Sequence, residues 1–368
     1  MPILAHAPLT IEAVQAAVGR DPASRVLPVG ARSKPPLSTP PDGVTVLEMG
    51  GLSGITEYEP DEFTFTALAG TPTGEVAALL ADHGQYMPFD PLLVAHGATL
   101  GGTVAAGASG PGRYRYGGVR DFILGARYVD GAGLIAGGGG RVVKNAAGFD
   151  LPKLMTGSLG QFGILVELTF KVFPRPEAHA TLQVICADMA SALESLARLQ
   201  ASPHDVEAIE LVPGNRRVSV VVRIGGLATA LPARIDRIRA LMAGGEAAHG
   251  PLEAAFWDEA RELAWAPAGW SVVKAPLTPA RIPILDSALA ETVTVRRYSA
   301  GGQAAWIAVP GPLDEIDQLL GANGLAGLVF LAPKRGRPGR VRLGARPGAA
   351  FEQRVRQALD PFHRFVEV

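Results

Sequence analysis

Residues 101–172 read GGTVAAGASGPGRYRYGGVRDFILGARYVDGAGLIAGGGGRVVKNAAGFDLPKLMTGSLGQFGILVELTFKV. Glycines at Gly101-Gly102, Gly117-Gly118, Gly137–Gly140, Gly160 and Gly163 punctuate runs that alternate like strands. A residue without a side chain takes backbone conformations closed to others and lets a large group lie against the main chain. The stretch therefore predicts a domain that wraps a ligand, the alternative being a loop-rich β-domain. Residues 122–129 and 133–138 frame Asp130-Gly131, a hairpin signal. Residues 151–159 read as a short helix and 163–173 as a long strand. Pro174 and Pro176 end that strand, and a domain boundary is placed there.

Upstream, Thr10 caps a helix with apolar residues at Ile11, Val14, Ala17 and Val18. Val26–Val29 is a short buried strand that runs into Gly30, Ala31, Arg32, Ser33 and Lys34. Such a turn can aim N–H groups and a hydroxyl at an anion, with two cations nearby; an ordinary strand exit is the other reading. Residues 44–49, 55–59 and 63–70 alternate as strands, and Thr73 caps a helix over 74–84 closed by Gly84. Pro88-Phe89-Asp90-Pro91 is a stiff turn, and residues 98–106 a tight turn into a short helix. Downstream of Pro176 the pattern becomes strand 181–187, helix 189–200, strands 206–212 and 216–226, and helix 228–244. This β-α-β-β-α order predicts a ferredoxin-like antiparallel sheet with helices on one face. Strands 292–302 and 304–311, helix 313–322, strand 327–332 and helix 350–359 complete the domain. No internal repeat is legible. The division expected is 1–176 and 177–368.

Composition narrows the function. The 368 residues are 48% hydrophobic and 19% charged, as in a soluble globular protein of two or three domains. A net charge of −1 gives no general attraction to nucleic acid or anionic lipid. No apolar run reaches the roughly 18 residues of a membrane span, and the N-terminus lacks a signal-peptide pattern, so a cytoplasmic location is expected. One cysteine, Cys186, excludes an internal disulfide and an iron–sulfur cluster. The seven histidines lie far apart in sequence, and no metal site is expected.

No Gly-x-Gly-x-x-Gly follows a strand, and neither a P-loop nor a Gly-x-Ser-x-Gly elbow is present. Several dispersed turns remain: VGARS (29–33), PFDP (88–91), ATLGG (98–102), AAGASG (105–110), RYGGVRDFILG (115–125), GGRVVKNAAGFDL (139–151) and GSLGQFGILVE (157–167). In this order they resemble the FAD-binding domain of the vanillyl-alcohol oxidase/p-cresol methylhydroxylase (PCMH) class. Within it they are most similar to the FAD-binding subunits of bacterial glycolate oxidases.

The resemblance implies an α+β protein: a two-subdomain PCMH-type FAD-binding domain followed by a ferredoxin-like antiparallel cap. It implies that Val29, Gly30, Ala31, Arg32 and Ser33 cradle the FAD pyrophosphate. Thr99, Gly101, Gly102, Ala106, Ser109 and Gly110 would line the path to the flavin, and Tyr116, Gly117 and Asp121 would follow it. Gly163, Ile164 and Val166 would hold the adenine through an exposed strand, although Ile164 and Val166 suit any strand core. FAD is expected to be non-covalent, since the first turn and the ASG segment hold no histidine or cysteine. Arg120 and Lys144 are the catalytic candidates, as cations for a substrate carboxylate. Ala31 and Arg32 replace glycines of the class's first turn, Phe149 replaces a tyrosine, and LDPFHRFVEV is shorter than the class's usual ending. Gly301-Gly302-Gln303-Ala304-Ala305-Trp306 stands where self-sufficient relatives carry metal ligands. That points to a subunit working with a larger catalytic flavoprotein and an iron–sulfur subunit, peripheral to the inner membrane at most through the complex. The alternatives are a free-standing FAD oxidoreductase of another small 2-hydroxy acid and a structural subunit without flavin.

Overall fold

The computed structural model describes residues 5–19, 24–140, 150–333 and 340–367. The chain divides into two compact units. The first comprises residues 1–109, 117–175 and 347–368; the second comprises 110–116 and 176–346. Two segments thus cross the division expected from sequence: 110–116 belong with the second unit, and the C-terminus returns to the first.

The first unit starts with β1 (Ala5–His6), α1 (Ile11–Gly19), β2 (Arg25–Val29) and β3 (Val44–Glu48). Thr10 caps α1 as expected, its Oγ1 accepting from Ala13 N at 3.2 Å. Then come β4 (Ile55–Glu59), β5 (Thr64–Leu68), α2 (Thr73–Asp82), β6 (Gln85–Tyr86) and α3 (Leu100–Ala105). A short α4 (Arg113–Tyr116), part of the second unit, interrupts before α5 (Val119–Phe122). The hairpin β7 (Ile123–Val129) and β8 (Ile135–Gly139) follows, then α6 (Leu151–Met155), β9 (Ile164–Lys171) and β10 (Phe173–Pro174). Asp130 makes the hairpin turn, its Oδ1 accepting from the N–H of Ala132 and of Leu134, both at 2.9 Å. Among the described residues, β1-β3-β2 form a parallel sheet and β4-β5-β9-β7-β8 an antiparallel one. Val14 and Val18 of α1, Val26, Leu47, Ile164 and Val166 share one core.

The second unit runs β11 (Ala178–Cys186), α7 (Met189–Gln200), β12 (Ala208–Pro213), β13 (Val218–Gly226), α8 (Leu231–Leu241) and β14 (Glu246–His249). After α9 (Pro251–Arg261) come β15 (Ser271–Pro276), α10 (Ile282–Ala290), β16 (Val295–Ser299), β17 (Ala304–Val309), α11 (Asp314–Ala322), β18 (Ala326–Leu331) and β19 (Arg342–Gly344). The strand order is β14-β11-β13-β12-β16-β17-β15-β18-β19. Numbered within its own half, each β-α-β-β-α-β set has the order 4-1-3-2, the second in mirror direction. The unit is therefore two ferredoxin-like halves joined edge to edge at β12 and β16, a repeat of topology that the sequence does not reveal. The buried residues of α7, α8, α10 and α11 form a single core with one face of this sheet. On the other face α9 seats Trp257 against Ala208 and Val221, and its indole N–H donates to Thr181 Oγ1 at 2.8 Å.

One polar cluster is built into the core side. Asp286 on α10 accepts from Arg296 Nε (2.5 Å) and from the Tyr298 hydroxyl (2.7 Å). Burial, then the Asp286 charge, pushes the Tyr298 phenol well above its ordinary range. Asp286→Asn would leave the Arg296 charge without its carboxylate, a loss of about 1.5–3 kcal/mol. Thermal unfolding followed by circular dichroism should show a drop of roughly 3–10 °C in the midpoint of this unit.

Candidate cofactor cleft

β2 ends inside the core, with Val29 buried beside Val44 and Val46. The chain then turns through residues 30–34. A Cβ on Gly30 would stand 2.4 Å from Thr99 Oγ1, so glycine is what lets this turn lie against the start of α3. Thr99 is buried there as the helix cap, accepting from Gly102 N at 3.2 Å. Gly101 donates its N–H to Ala69 O at 2.7 Å, and a Cβ on it would meet Ala69 at 2.9 Å. Arg32 takes the left-handed conformation (φ 56°) at the position where the class has glycine. Its guanidinium is held outward by the Glu48 carboxylate and by Ser38 O (2.9 Å), so it leaves room beside the turn.

These pieces enclose one cleft. Gly30, Ala31, Arg32, Ser33, Thr99, Gly101, Gly102, Ala106 and Gly163, which the resemblance names as FAD contacts, all line it. Leu37, Met49, Ala69, Leu159, Gly160 and Leu165 add to the wall, and none of these was named from sequence as a cofactor contact. Lys34 lines it too. This lysine is 5% exposed, and its Nζ donates to Ser33 Oγ at 3.2 Å. Among the described residues no carboxylate lies within ion-pair distance of it. Burial pulls its ammonium down to about 8.

The donor set fits a dinucleotide. A buried cation and two hydroxyls, Ser33 and Thr99, suit two phosphate charges. The small residues of the lining and the apolar Leu37, Met49 and Leu165 suit flat rings.

The other expected contacts fall elsewhere. β9 is a central strand between β5 and β7, not an exposed one, and Ile164 and Val166 turn their side chains into the core; their neighbours Gly163 and Leu165 reach the cleft. Ser109 accepts from Val119 N at 2.9 Å, and Asp121 accepts from Gly118 N at 2.8 Å. With Gly117 (φ 89°), where a Cβ would press on Asp121, they build the turn into α5 and are absent from the cleft lining. Gly110 and Tyr116 belong to the second unit, where the Tyr116 hydroxyl donates to Glu207 at 3.4 Å. Arg120 is exposed, with its Nε reaching Lys153 O at 3.4 Å, and does not line the cleft. Lys144 lies outside the described residues. Among the described residues no three His, Cys, Asp or Glu side chains are grouped to hold a metal, and no helix is long and apolar enough to cross a membrane.

Comparison with known proteins agrees with this geometry. The chain is 41% identical over 180 residues to glycolate oxidase subunit GlcE of Escherichia coli (strain K12), covering 49% of this chain and 51% of that protein. It is 27% identical over 214 residues to glycolate oxidase subunit GlcD of Bacillus subtilis (strain 168), covering 55% and 44%. To the mitochondrial D-lactate dehydrogenase [cytochrome] 1 of Saccharomyces cerevisiae it is 30% identical over 174 residues, covering 47% and 29%. The matches thus span about half or less of these relatives. In fold, alkyldihydroxyacetonephosphate synthase superposes with a TM-score of 0.72 at 15% identity, covering 98% of this chain and 76% of that one. The architecture is that PCMH-type fold, mixed helix and antiparallel sheet. Residues 2–137, which supply most of the cleft, match the FAD binding domain family.

Proposed function

We propose that this chain is the FAD-binding subunit of a glycolate oxidase-type complex and supports the oxidation of glycolate to glyoxylate. The observation that carries this reading is that most of the cleft around Lys34 falls within residues 2–137, which match the FAD binding domain family, in a chain 41% identical over 180 residues to the GlcE subunit. A larger flavoprotein and an iron–sulfur subunit are its partners in this reading. FAD, when bound, supplies the acceptor for the two electrons leaving a 2-hydroxy acid. The protein's share is positioning. The turn after β2 and the start of α3 offer N–H groups and the Ser33 and Thr99 hydroxyls to the phosphates, and Lys34 neutralises their charge. Leu37, Met49 and Leu165 would offer apolar surface to the rings of the bound cofactor.

The purified chain, incubated with FAD and desalted, should be yellow. Anaerobic glycolate should leave the colour unchanged with the chain alone and bleach it once the partner subunits are added. A protein that stays colourless would overturn the flavin reading. Rapid bleaching by the chain alone would favour a free-standing dehydrogenase.

A further inference from the structure

Arg32 is an unexpected member of the cleft lining. Its backbone is left-handed (φ 56°), a conformation that glycine takes freely and that other residues keep only where their surroundings hold them. What holds Arg32 is its guanidinium. Nη2 donates to Glu48 Oε1, and Nη1 donates to Ser38 O at 2.9 Å. Glu48 is paired with Val29 in the β2–β3 register and directly precedes Met49, a cleft residue. Ser38 ends the short helical turn Pro35–Ser38 and lines the cleft as well. The ion pair therefore lies at the rim of the cleft, and Arg32 itself stands in the lining between Ala31 and Ser33.

The two cations of this turn are placed differently. Lys34 is buried and donates to Ser33 Oγ. The Arg32 side chain is 45% exposed, and that of its partner Glu48 is 35% exposed. Magnitudes decide which partner Arg32 keeps. An ion pair this open to water contributes less than about 5-fold to an equilibrium. A guanidinium on a phosphate, forked and charge-assisted, contributes about 10- to 100-fold. A phosphate within reach of Arg32 thus outcompetes Glu48. Lys34, Ser33 and Thr99 suffice for one phosphate, so the second phosphate of a diphosphate is the group left for Arg32.

We propose that Arg32 and Glu48 form an exchangeable pair that sets the affinity of this cleft and its preference for a diphosphate: Arg32 leaves Glu48 for the second phosphate of a bound dinucleotide. Glu48 is a positioning residue in this scheme, acting on the ligand through Arg32. The identity of the dinucleotide rests on the flavin reading above; the pair itself rests on the geometry of the turn.

Calorimetric titration of the full chain with ADP, AMP and FAD tests it. Glu48→Gln should bind ADP and FAD about 2- to 5-fold more tightly than wild type, because the competing pair is gone. Arg32→Gln should bind both about 10-fold more weakly and lose most of the preference for ADP over AMP. Arg32→Lys keeps the charge without the fork, and its affinity should fall between those of wild type and Arg32→Gln. Adding Glu48→Gln to Arg32→Gln should then change affinity by less than about 1.5-fold, a coupling that a structural or long-range charge effect of Glu48 does not produce. Equal gains from Glu48→Gln in both backgrounds would overturn the exchange and leave the flavin reading standing, as would wild-type affinity for ADP and FAD in Arg32→Gln. The expected coupling with ADP in a protein that takes up no FAD would uphold the exchange and refute the flavin reading. Wild type that binds neither ADP nor FAD would overturn both.

Discussion

Lys34→Met is expected to weaken FAD binding about 10- to 100-fold, the equivalent of one hydrogen bond to a charged group at about 1.5–3 kcal/mol. The same change should make the apoprotein more stable. Lys34 sits in the wall of the cleft with Ser33 as its hydrogen-bond partner, and burial lowers its ammonium from 10.5 to about 8. Between those two values the unfolded chain holds the proton and the folded one does not, so apoprotein stability rises with pH across that window. Below about 8 the folded protein carries the full cost of a buried charge. Methionine, similar in shape and neutral, removes that cost and flattens the pH dependence. FAD reverses the balance, because two phosphates favour the charged lysine. Wild-type affinity should therefore fall as pH rises through about 8, and the variant's should not. Flavin fluorescence titrations across that range provide the check. Equal affinities with parallel pH profiles would remove Lys34 from the phosphates.

The sequence made the first unit legible because its cleft is built from turns, and turns have strong local signatures. Gly30 lies far in the chain from Thr99 and Gly101, yet both glycines mark places where the backbone packs too closely on a neighbour for a Cβ, and the structure brings them together. Ser109, Gly117 and Asp121 bear similar signatures for another reason, since they shape a turn away from the cleft. Local pattern cannot separate these uses. Lys34 was visible as a nearby cation, but its burial in the wall of the cleft is tertiary information.

The second unit was read only in part. SVVKAP interrupts its apolar run with Lys274, and Pro279 and Pro283 obscure the start of α10. Missing β15 and α10 left the second ferredoxin-like half without its first strand and helix, so the repeat could not be seen. The lysine that spoiled the strand pattern is the one that stands between Trp306 and Phe330.

Phe365→Ala is expected to destabilise the first unit by about 3–5 kcal/mol, the usual loss for a fully buried phenylalanine. Its ring is 0% exposed and packs with Val14, Val18, Val26 and Leu47. The C-terminal segment after α12 (Ala349–Leu359) runs alongside β2. Val26 N donates to Arg364 O (2.7 Å), and Val366 N donates to Val26 O (3.3 Å). Asp360, wholly buried, accepts from the N–H of Arg364 (2.7 Å) and of Phe365 (2.9 Å), while the Arg364 guanidinium reaches Val18 O. This short ending, read from sequence as part of the second domain, thus flanks the strand that delivers Gly30 to the cleft. Loss of the ring should lower the melting midpoint of the first unit by roughly 10 °C or more and leave that of the second unit in place. Excess FAD should restore part of the loss, because a ligand that binds the folded unit alone adds RT ln(1 + [L]/Kd) to its stability. Deleting residues 360–368 removes the ring, the Asp360 clasp and the pairing to Val26 together, so FAD uptake itself should fail. Calorimetric scans with and without FAD read each of these outcomes. A Phe365→Ala protein that melts like wild type would show that β2 keeps its place without the returning C-terminus.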